Sequence, residues 1–179
     1  MLLKNLFCAS AFLLVAVSAS AQNEKGVTKY VNPFIGTGSV DQNSLKGNTF
    51  PGACVPFGMV QLSPDVKSKP TGHEPSGYNY GCNRIYGFSH THLSGTGCVD
   101  LLDVLVMPSS RSLDELSKTD DFSSAFSHTN EKASVGYYAV KLDEDGINAE
   151  MTATLRTGMH RYTYAAGQAN NLVFDMAHS

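Results

Sequence analysis

Residues 147–157, INAEMTATLRT, alternate without a break. Ile147, Ala149, Met151, Ala153 and Leu155 fall on one side, and Asn148, Glu150, Thr152, Thr154 and Arg156 on the other. A period of two over this length predicts a strand with one face on a core and the other in water or a shallow groove. Residues 159–164, MHRYTY, continue in the same style after Gly158. The turn chemistry of DEDG at 143–146 predicts a hairpin with YYAVKL at 137–142. NNLVFDMA at 170–177 reads as a further strand. Residues 99–108, VDLLDVLVMP, lack alternation. Their nearly continuous apolar run predicts a strand buried on both faces and stopped by Pro108. SLDELSK at 112–118 carries Ser112 with Glu115 three residues on, the capping box of a short helix. FSSAFSHTNEKAS at 122–134 is too rich in hydroxyls to predict a helix.

The front of the chain has a different grain. YVNPFIGTGS at 30–39 and GNTFPGACVPFGMVQLSP at 47–64 carry glycine or proline every few residues, and SGYNYGCNRIYGFSH at 76–90 adds four aromatics. Such stretches bring backbone N–H groups to a surface, where they can line a ligand site. There is no internal repeat. Short apolar runs between glycine, proline and hydroxyl-rich turns predict a mainly all-β fold, an antiparallel β-sandwich with one or two short helices.

Composition changes this picture in three ways. Residues 1–21 read as a secretory signal: Lys4 is the basic start, LFCASAFLLVAV at 6–17 the apolar core, and Ala19-Ser20-Ala21 the small-residue cleavage site. The expectation is export, to the periplasm or the medium, of a single domain over residues 22–179 with no membrane association after cleavage. The net charge of −3, with no basic cluster, argues against a nucleic-acid partner. Beyond the signal stand Cys54, Cys82 and Cys98. An odd count leaves at least one thiol, and without a Cys-x-x-Cys pair a thiolate zinc site has little support. The last residues, VFDMAHS, read as a strand or its exit, so the domain is expected to be truncated at its C-terminal end.

The densest polar stretch is GFSHTHLSGTG at 87–97. On a strand, His90 and His92 would share a face, roughly 6.5–7 Å apart at the backbone. That spacing suits three uses: two-imidazole metal chelation, ligand hydrogen bonding beside the neighbouring hydroxyls, or a structural role. Chelation needs a third ligand, for which His73, His128, His160, Asp100 and Asp103 are candidates. Asp100 and Asp103 stand three apart and would point to opposite strand faces, poor placement for the paired carboxyls of glycoside hydrolysis. They are expected to bond the backbone of the SGTG turn. His128 and Glu131 could pair on one helical turn, as a cap or a surface pair. The Gly-Thr-Gly at 36–38 lacks the Lys-Ser/Thr of a P-loop and the third glycine of a dinucleotide site. No nucleophile elbow or serine–histidine–aspartate triad can be defended. What remains is a polar, aromatic, glycine-lined surface, which suits carbohydrate.

The motifs YVNPFIGTG, GNTFPGACVPFGMVQLSPD, SGYNY, IYGFSHTHLSGTG, EKASVGYYAVKL and AEMTATLRTGMHRYTY occur in that order. From about Tyr30 to the end, the chain resembles the amino-terminal region of glycoside hydrolase family 92, exo-acting α-mannosidases common in gut Bacteroidetes. The resemblance implies an amino-terminal β-sandwich followed by an (α/α)6 catalytic barrel that is absent from this chain. It implies removal of terminal α-mannose from glycans with inversion, and a need for calcium, whose ligands are expected mainly on the barrel. No catalytic and no metal-binding residue carries over. By matching motif, the residues expected to face the mannose site are Phe34, Gly36, Thr37 and Gly38, then His90, Thr91 and His92, with Tyr78 and Tyr80 as walls of the leaving-sugar subsite. The expected partners are mannose-containing glycans and the barrel domain. This chain alone is expected to be inactive. A free-standing carbohydrate-binding sandwich and a His-x-His metal enzyme are the alternatives.

Overall fold

The computed structural model describes residues 26–38, 47–66 and 74–178; the signal-like segment 1–21 and the candidate ligand His73 lie outside the described residues. After a 3-10 turn at Val27–Tyr30, the strands are β1 (Ala53–Cys54), β2 (Gln61–Val66), β3 (Arg84–Ser89), β4 (Leu105–Ser109), β5 (Ser124–Ser134), β6 (Tyr137–Leu142), β7 (Ile147–Ala153), β8 (Gly158–Thr163) and β9 (Asn171–Asp175), with a one-turn helix α1 (Leu113–Leu116) between β4 and β5. Every ladder is antiparallel. The fold is therefore the mainly-β sandwich that the turn-rich sequence predicts.

One layer runs β1–β2–β3–β4–β9 and the other β5–β6–β7–β8. β5 connects them. Its first residues pair with β3, Ser124 opposite Ile85, and after an irregularity between Phe126 and Glu131 it pairs along β6. The core lies between the layers, where Leu62, Ile85, Phe88 and Met107 meet Tyr138, Val140, Ile147 and Met151. Burial of each such side chain contributes about 1.5–3 kcal/mol.

The hairpin of β6 and β7 follows its sequence pattern. Ile147, Ala149, Met151 and Ala153 are buried, while Asn148 and Thr152 are exposed. Leu142 pairs with Ile147, and Gly146 takes φ 68°, a left-handed conformation that glycine adopts at little cost. The strand ends earlier than alternation predicts. Thr154 N–H bonds the Thr157 carbonyl at 2.8 Å, which turns the chain and leaves Leu155 52% exposed. The Leu155 carbonyl then accepts the Met59 N–H at 2.8 Å, tying this turn to the loop before β2.

β4 also differs from expectation. It starts at Leu105 because Leu101, Leu102 and Val104 have φ of 69°, 66° and 57°, outside the β region. Pro108 does not stop it and sits opposite Leu172 of β9. Proline is tolerable there because β4 pairs with β3 only at Val106, so one edge carries no ladder beyond that point. All five β4 residues are buried, but the first half of the predicted run is not a buried strand: Val99 is 45% and Val104 41% exposed. The helix α1 has its capping box: the Glu115 N–H donates to Ser112 Oγ, and the Ser112 N–H donates to Glu115 Oε2 at 2.8 Å. Residues 124–134, unassigned by pattern, form the longest strand.

β1 can lie on β2 only because Gly52 has no side chain. A Cβ there would fall inside the van der Waals shells of the Leu62 carbonyl oxygen and Ser63 Cα, both backbone of β2. Gly52→Ala is expected to cost about 3 kcal/mol, read as a lower urea midpoint at unchanged slope; a cost below a few tenths would show that β1 moves freely.

Candidate functional site

The His-x-His stretch straddles a strand end. β3 stops at Ser89, so the alternation that would align His90 with His92 stops one residue early. His92 turns inward and is 3% exposed. Its Nε2 lies 2.8 Å from Asp65 Oδ1 and 3.1 Å from Ser89 Oγ, and its Nδ1 lies 2.6 Å from the Gln61 carbonyl. His90 turns to the seam with β8, its Nδ1 2.7 Å from the Val104 carbonyl and its Nε2 3.0 Å from His160 Nε2. The two imidazoles do not converge, which corrects the reading of a His90–His92 chelate. Nor does any group of three His, Cys, Asp or Glu among the described residues have the geometry to hold a metal ion.

The carboxylates near this stretch are also placed differently from expectation. Asp103 Oδ2 accepts from the Thr91 hydroxyl at 2.8 Å, and the Asp103 N–H donates back to Thr91 Oγ1 at 2.9 Å. Asp100 accepts from the Leu101 N–H at 2.8 Å. Both stabilise the left-handed 99–104 loop, not the SGTG turn. Cys54, Cys82 and Cys98 are all thiols.

Below His92 lies a cluster that sequence reasoning missed. Asp65 is 1% exposed, with Oδ1 on His92 and Oδ2 2.9 Å from His178 Nε2. Burial opposes its charge, but the two imidazoles outweigh that penalty, and its pKa is lowered. Ser89, His92 and Asp65 superficially resemble a hydrolytic triad. Serine and aspartate share the same imidazole nitrogen, however, whereas a triad needs them on opposite ones. The cluster joins the core to the segment after β9.

The second group of predicted residues does assemble. Asn32 Oδ1 accepts the Phe34 N–H at 3.0 Å, the Thr37 hydroxyl donates to the Phe34 carbonyl at 2.8 Å, and Gly36 takes φ 83°. The Thr37 carbonyl accepts the Tyr80 N–H at 3.0 Å. A Cβ on Gly38 would collide with that N–H and with Asn79 Oδ1, so glycine permits the close approach. The Phe34 ring meets Tyr80 edge-on at 5.6 Å, and Tyr80 stacks on His128 at 4.0 Å with 12° between planes. Phe34, Tyr80 and His128 thus make a continuous aromatic wall, with Tyr80 42% exposed.

Tyr78 and Thr37 lie beneath that wall, each 2% exposed, so the Tyr78 ring fills core and only Tyr80 of the two tyrosines meets solvent. The Tyr78 hydroxyl donates to Glu131 Oε1 at 2.8 Å, where the Tyr138 hydroxyl also donates, at 2.6 Å. Glu131 Oε2 lies 2.6 Å from His128 Nδ1. This pair sits in the irregular stretch of β5, not on a helical turn, and the Glu131 side chain is 1% exposed. Burial first, then the Glu131 charge, push both phenols well above their usual pKa, so both remain donors. The wall and the His90–His92 stretch are bridged by Thr49, whose hydroxyl donates to the Ile35 carbonyl, and by Phe50, whose ring lies 4.9 Å from His92. Nearby, Val31, Pro33, Phe50, Val55, Pro56 and the wholly exposed Phe57 line an open, apolar groove of about 470 Å³.

Burial, and then the neighbouring His90, lower the His160 pKa from 6.5 to about 4. A histidine held neutral in the fold gains its proton on unfolding. Its contribution is fully present above pH 6.5 and is lost as pH falls to about 4. Discounted for its partial exposure, that loss should be on the order of 2 kcal/mol. In urea titrations across this window, His160→Gln should lose less stability than the parent; an identical loss would assign the acid sensitivity elsewhere.

Residues 30–179 match the glycosyl hydrolase family 92 N-terminal domain, and the chain belongs to that family. It is similar to a family GH92 α-mannosidase of Bacteroides thetaiotaomicron, at 41% identity and TM-score 0.73, over 84% of this chain and 20% of that one. A second structure of that mannosidase is a complex with mannoimidazole. A family GH92 inverting mannosidase of the same organism matches at 27% identity and TM-score 0.64, over 83% of this chain and 19% of that one. An uncharacterized secreted glycosidase of Arthroderma benhamiae is 30% identical over 85% of this chain and 19% of its own length. The chain spans about a fifth of the length of these relatives.

Proposed function

We propose that this chain serves as the carbohydrate-contacting amino-terminal domain of an exported, calcium-dependent, inverting exo-α-mannosidase acting on terminal α-mannose of glycans. The observation that carries the proposal is the Phe34–Tyr80–His128 wall on a fold shared with α-mannosidases. Aromatic faces take the C–H faces of a sugar, and the imidazole and nearby hydroxyls take its polar edge. Similarity to a secreted glycosidase supports export.

The chemistry of inversion needs two accessible carboxyls flanking the scissile bond. Asp65 and Glu131 are sealed in the core and saturated by imidazole and phenol donors, and the exposed Asp100 and Asp103 stand in the 99–104 loop, engaged by the Leu101 N–H and by Thr91. Calcium wants six to eight oxygen ligands, and this nitrogen-rich, fully engaged donor set does not fit it. Both facts favour a division of labour in which a barrel domain supplies the acid, the base and the calcium ligands. The apolar groove at Phe57, the exposed Leu172 and Phe174 of β9, and Met176 just after it suit the seat of such a domain.

The test is hydrolysis of an aryl α-mannoside with calcium present. The chain alone is expected to give no turnover, and the same chain joined to the barrel domain is expected to give turnover that falls when Tyr80 is changed to Ala. Turnover by the chain alone would overturn the reading. The alternative, a free-standing carbohydrate-binding module, would show instead as millimolar or tighter binding of mannose by the isolated chain in calorimetry.

A further inference from the structure

We propose that His128 reads one hydroxyl of the bound sugar through Nε2, as a hydrogen-bond acceptor whose polarity is fixed by the buried Glu131, so that it determines the specificity of the wall. The inference rests on the reading of the Phe34–Tyr80–His128 wall as the sugar contact. It adds which atom meets the ligand and which ligand groups that atom takes.

The polarity follows from a count of donors. A carboxylate has no proton to give. Glu131 Oε1 accepts from the Tyr138 hydroxyl at 2.6 Å and the Tyr78 hydroxyl at 2.8 Å, and Tyr78 also reaches Oε2 at 3.0 Å. Both phenols keep their protons, because burial and the Glu131 charge oppose ionisation. His128 Nδ1, 2.6 Å from Oε2, is therefore the donor there. A neutral imidazole carries one N–H, so Nε2 is left with a lone pair. A carboxylate behind one ring nitrogen sets the role of the other.

The ring is held in that orientation. Tyr80 stacks on it at 4.0 Å with 12° between planes, and Phe126 meets it edge-on at 5.1 Å. The side chain is still 28% exposed, and Nε2 has no partner among the described residues. The hydroxyl of the half-exposed Tyr80 likewise has none among them. The wall thus offers a ligand one fixed acceptor and one hydroxyl that can donate or accept. An apolar ring at position 128 would fill the same stack with no buried charge beneath it. What the histidine adds is Nε2.

A lone pair selects for O–H. An unsubstituted sugar hydroxyl satisfies it, whereas an ether, an ester or a fluorine at that carbon sets acceptor against acceptor and leaves Nε2 unpaired. The wall therefore takes glycans with a free hydroxyl at the position it reads and rejects those capped there.

The test uses the chain joined to the barrel domain, an α-mannobioside, and a set of analogues each lacking one hydroxyl of the leaving sugar. His128→Asn keeps an amide N–H near the Nδ1 position for Glu131 and removes Nε2. It should lower kcat/KM on the intact mannobioside about tenfold, the value of one lost hydrogen bond. On the single analogue missing the hydroxyl that Nε2 reads, the variant should match the parent. Loss by the same factor on every analogue would assign His128 to packing and overturn the proposal. An unchanged rate on the intact mannobioside, with Tyr80→Ala still lowering turnover, would sink this inference and leave the wall reading standing; no effect of Tyr80→Ala would remove both. The imidazole nitrogen resonances of the unsubstituted chain at about pH 8 give a check that no folding defect can imitate. They should show His128 protonated at Nδ1 and bare at Nε2, and a proton found on Nε2 would refute the assignment.

Discussion

Asp65→Ala is expected to cost the protein about 3 kcal/mol, since each buried hydrogen bond to a charged group that is lost contributes about 1.5–3 kcal/mol. Asp65 is 1% exposed and accepts from two imidazoles, His92 on Oδ1 and His178 on Oδ2. Removing it takes the carboxylate acceptor away from both imidazoles, leaving His92 Nε2 the longer 3.1 Å contact to Ser89 Oγ, beside the small space left by the carboxyl. Gly77 packs so closely over this carboxylate that a Cβ there would overlap Oδ1, so little water can enter to compensate. Asp65→Asn should fall between parent and Ala, because the amide oxygen still accepts one N–H. The pH dependence follows from the lowered pKa. The contribution is fully present above the ordinary carboxyl value of 3.8 and disappears as pH falls through the lower folded value. Urea titrations of the three proteins at neutral and acid pH would check this, and their curves should converge in strong acid. A neutral-pH loss under 1 kcal/mol, roughly the value of an exposed ion pair, would show that the cluster is hydrated.

Glu131→Ala should cost about 3 kcal/mol, since each buried donor left unsatisfied costs about 1–3 kcal/mol. Tyr78 and Tyr138 are 2% and 0% exposed, and both hydroxyls donate to Glu131 Oε1. Glu131→Gln keeps an oxygen for both phenols and should cost about 1 kcal/mol. Because Glu131 also holds His128 under the Tyr80 ring, the Ala variant should loosen the aromatic wall, visible as weaker near-ultraviolet tyrosine dichroism. Equal losses for Ala and Gln would mean that the negative charge, not the acceptor, matters.

Much of the fold is legible in short-range pattern. The β6–β7 hairpin, the turn before β7 and the Ser112–Glu115 cap depend on neighbours within a few residues, and each is found where it is expected. The ordered family motifs point to the domain type, and the family match covers the same span. The pattern misleads where an apolar residue is used against type. Leu155 is exposed because Thr154 and Thr157 close a turn, and Leu101, Leu102 and Val104 take left-handed conformations that no glycine or asparagine announces.

The site divides along the same line. The glycine turn at 33–38 and the aromatic content of SGYNY are local properties of the chain. Which tyrosine meets solvent is not: Tyr78 and Tyr80 share one motif, and Tyr78 is drawn inward by an acceptor 53 residues away. His90 and His92 share another, and are parted by His160 and Asp65, 70 and 27 residues distant, while His178 reaches Asp65 across 113 residues. Strand, turn and cap follow from the backbone geometry each short stretch prefers. Buried polar side chains instead go wherever a complementary group can satisfy them, and only the packing of the two layers brings those groups within reach.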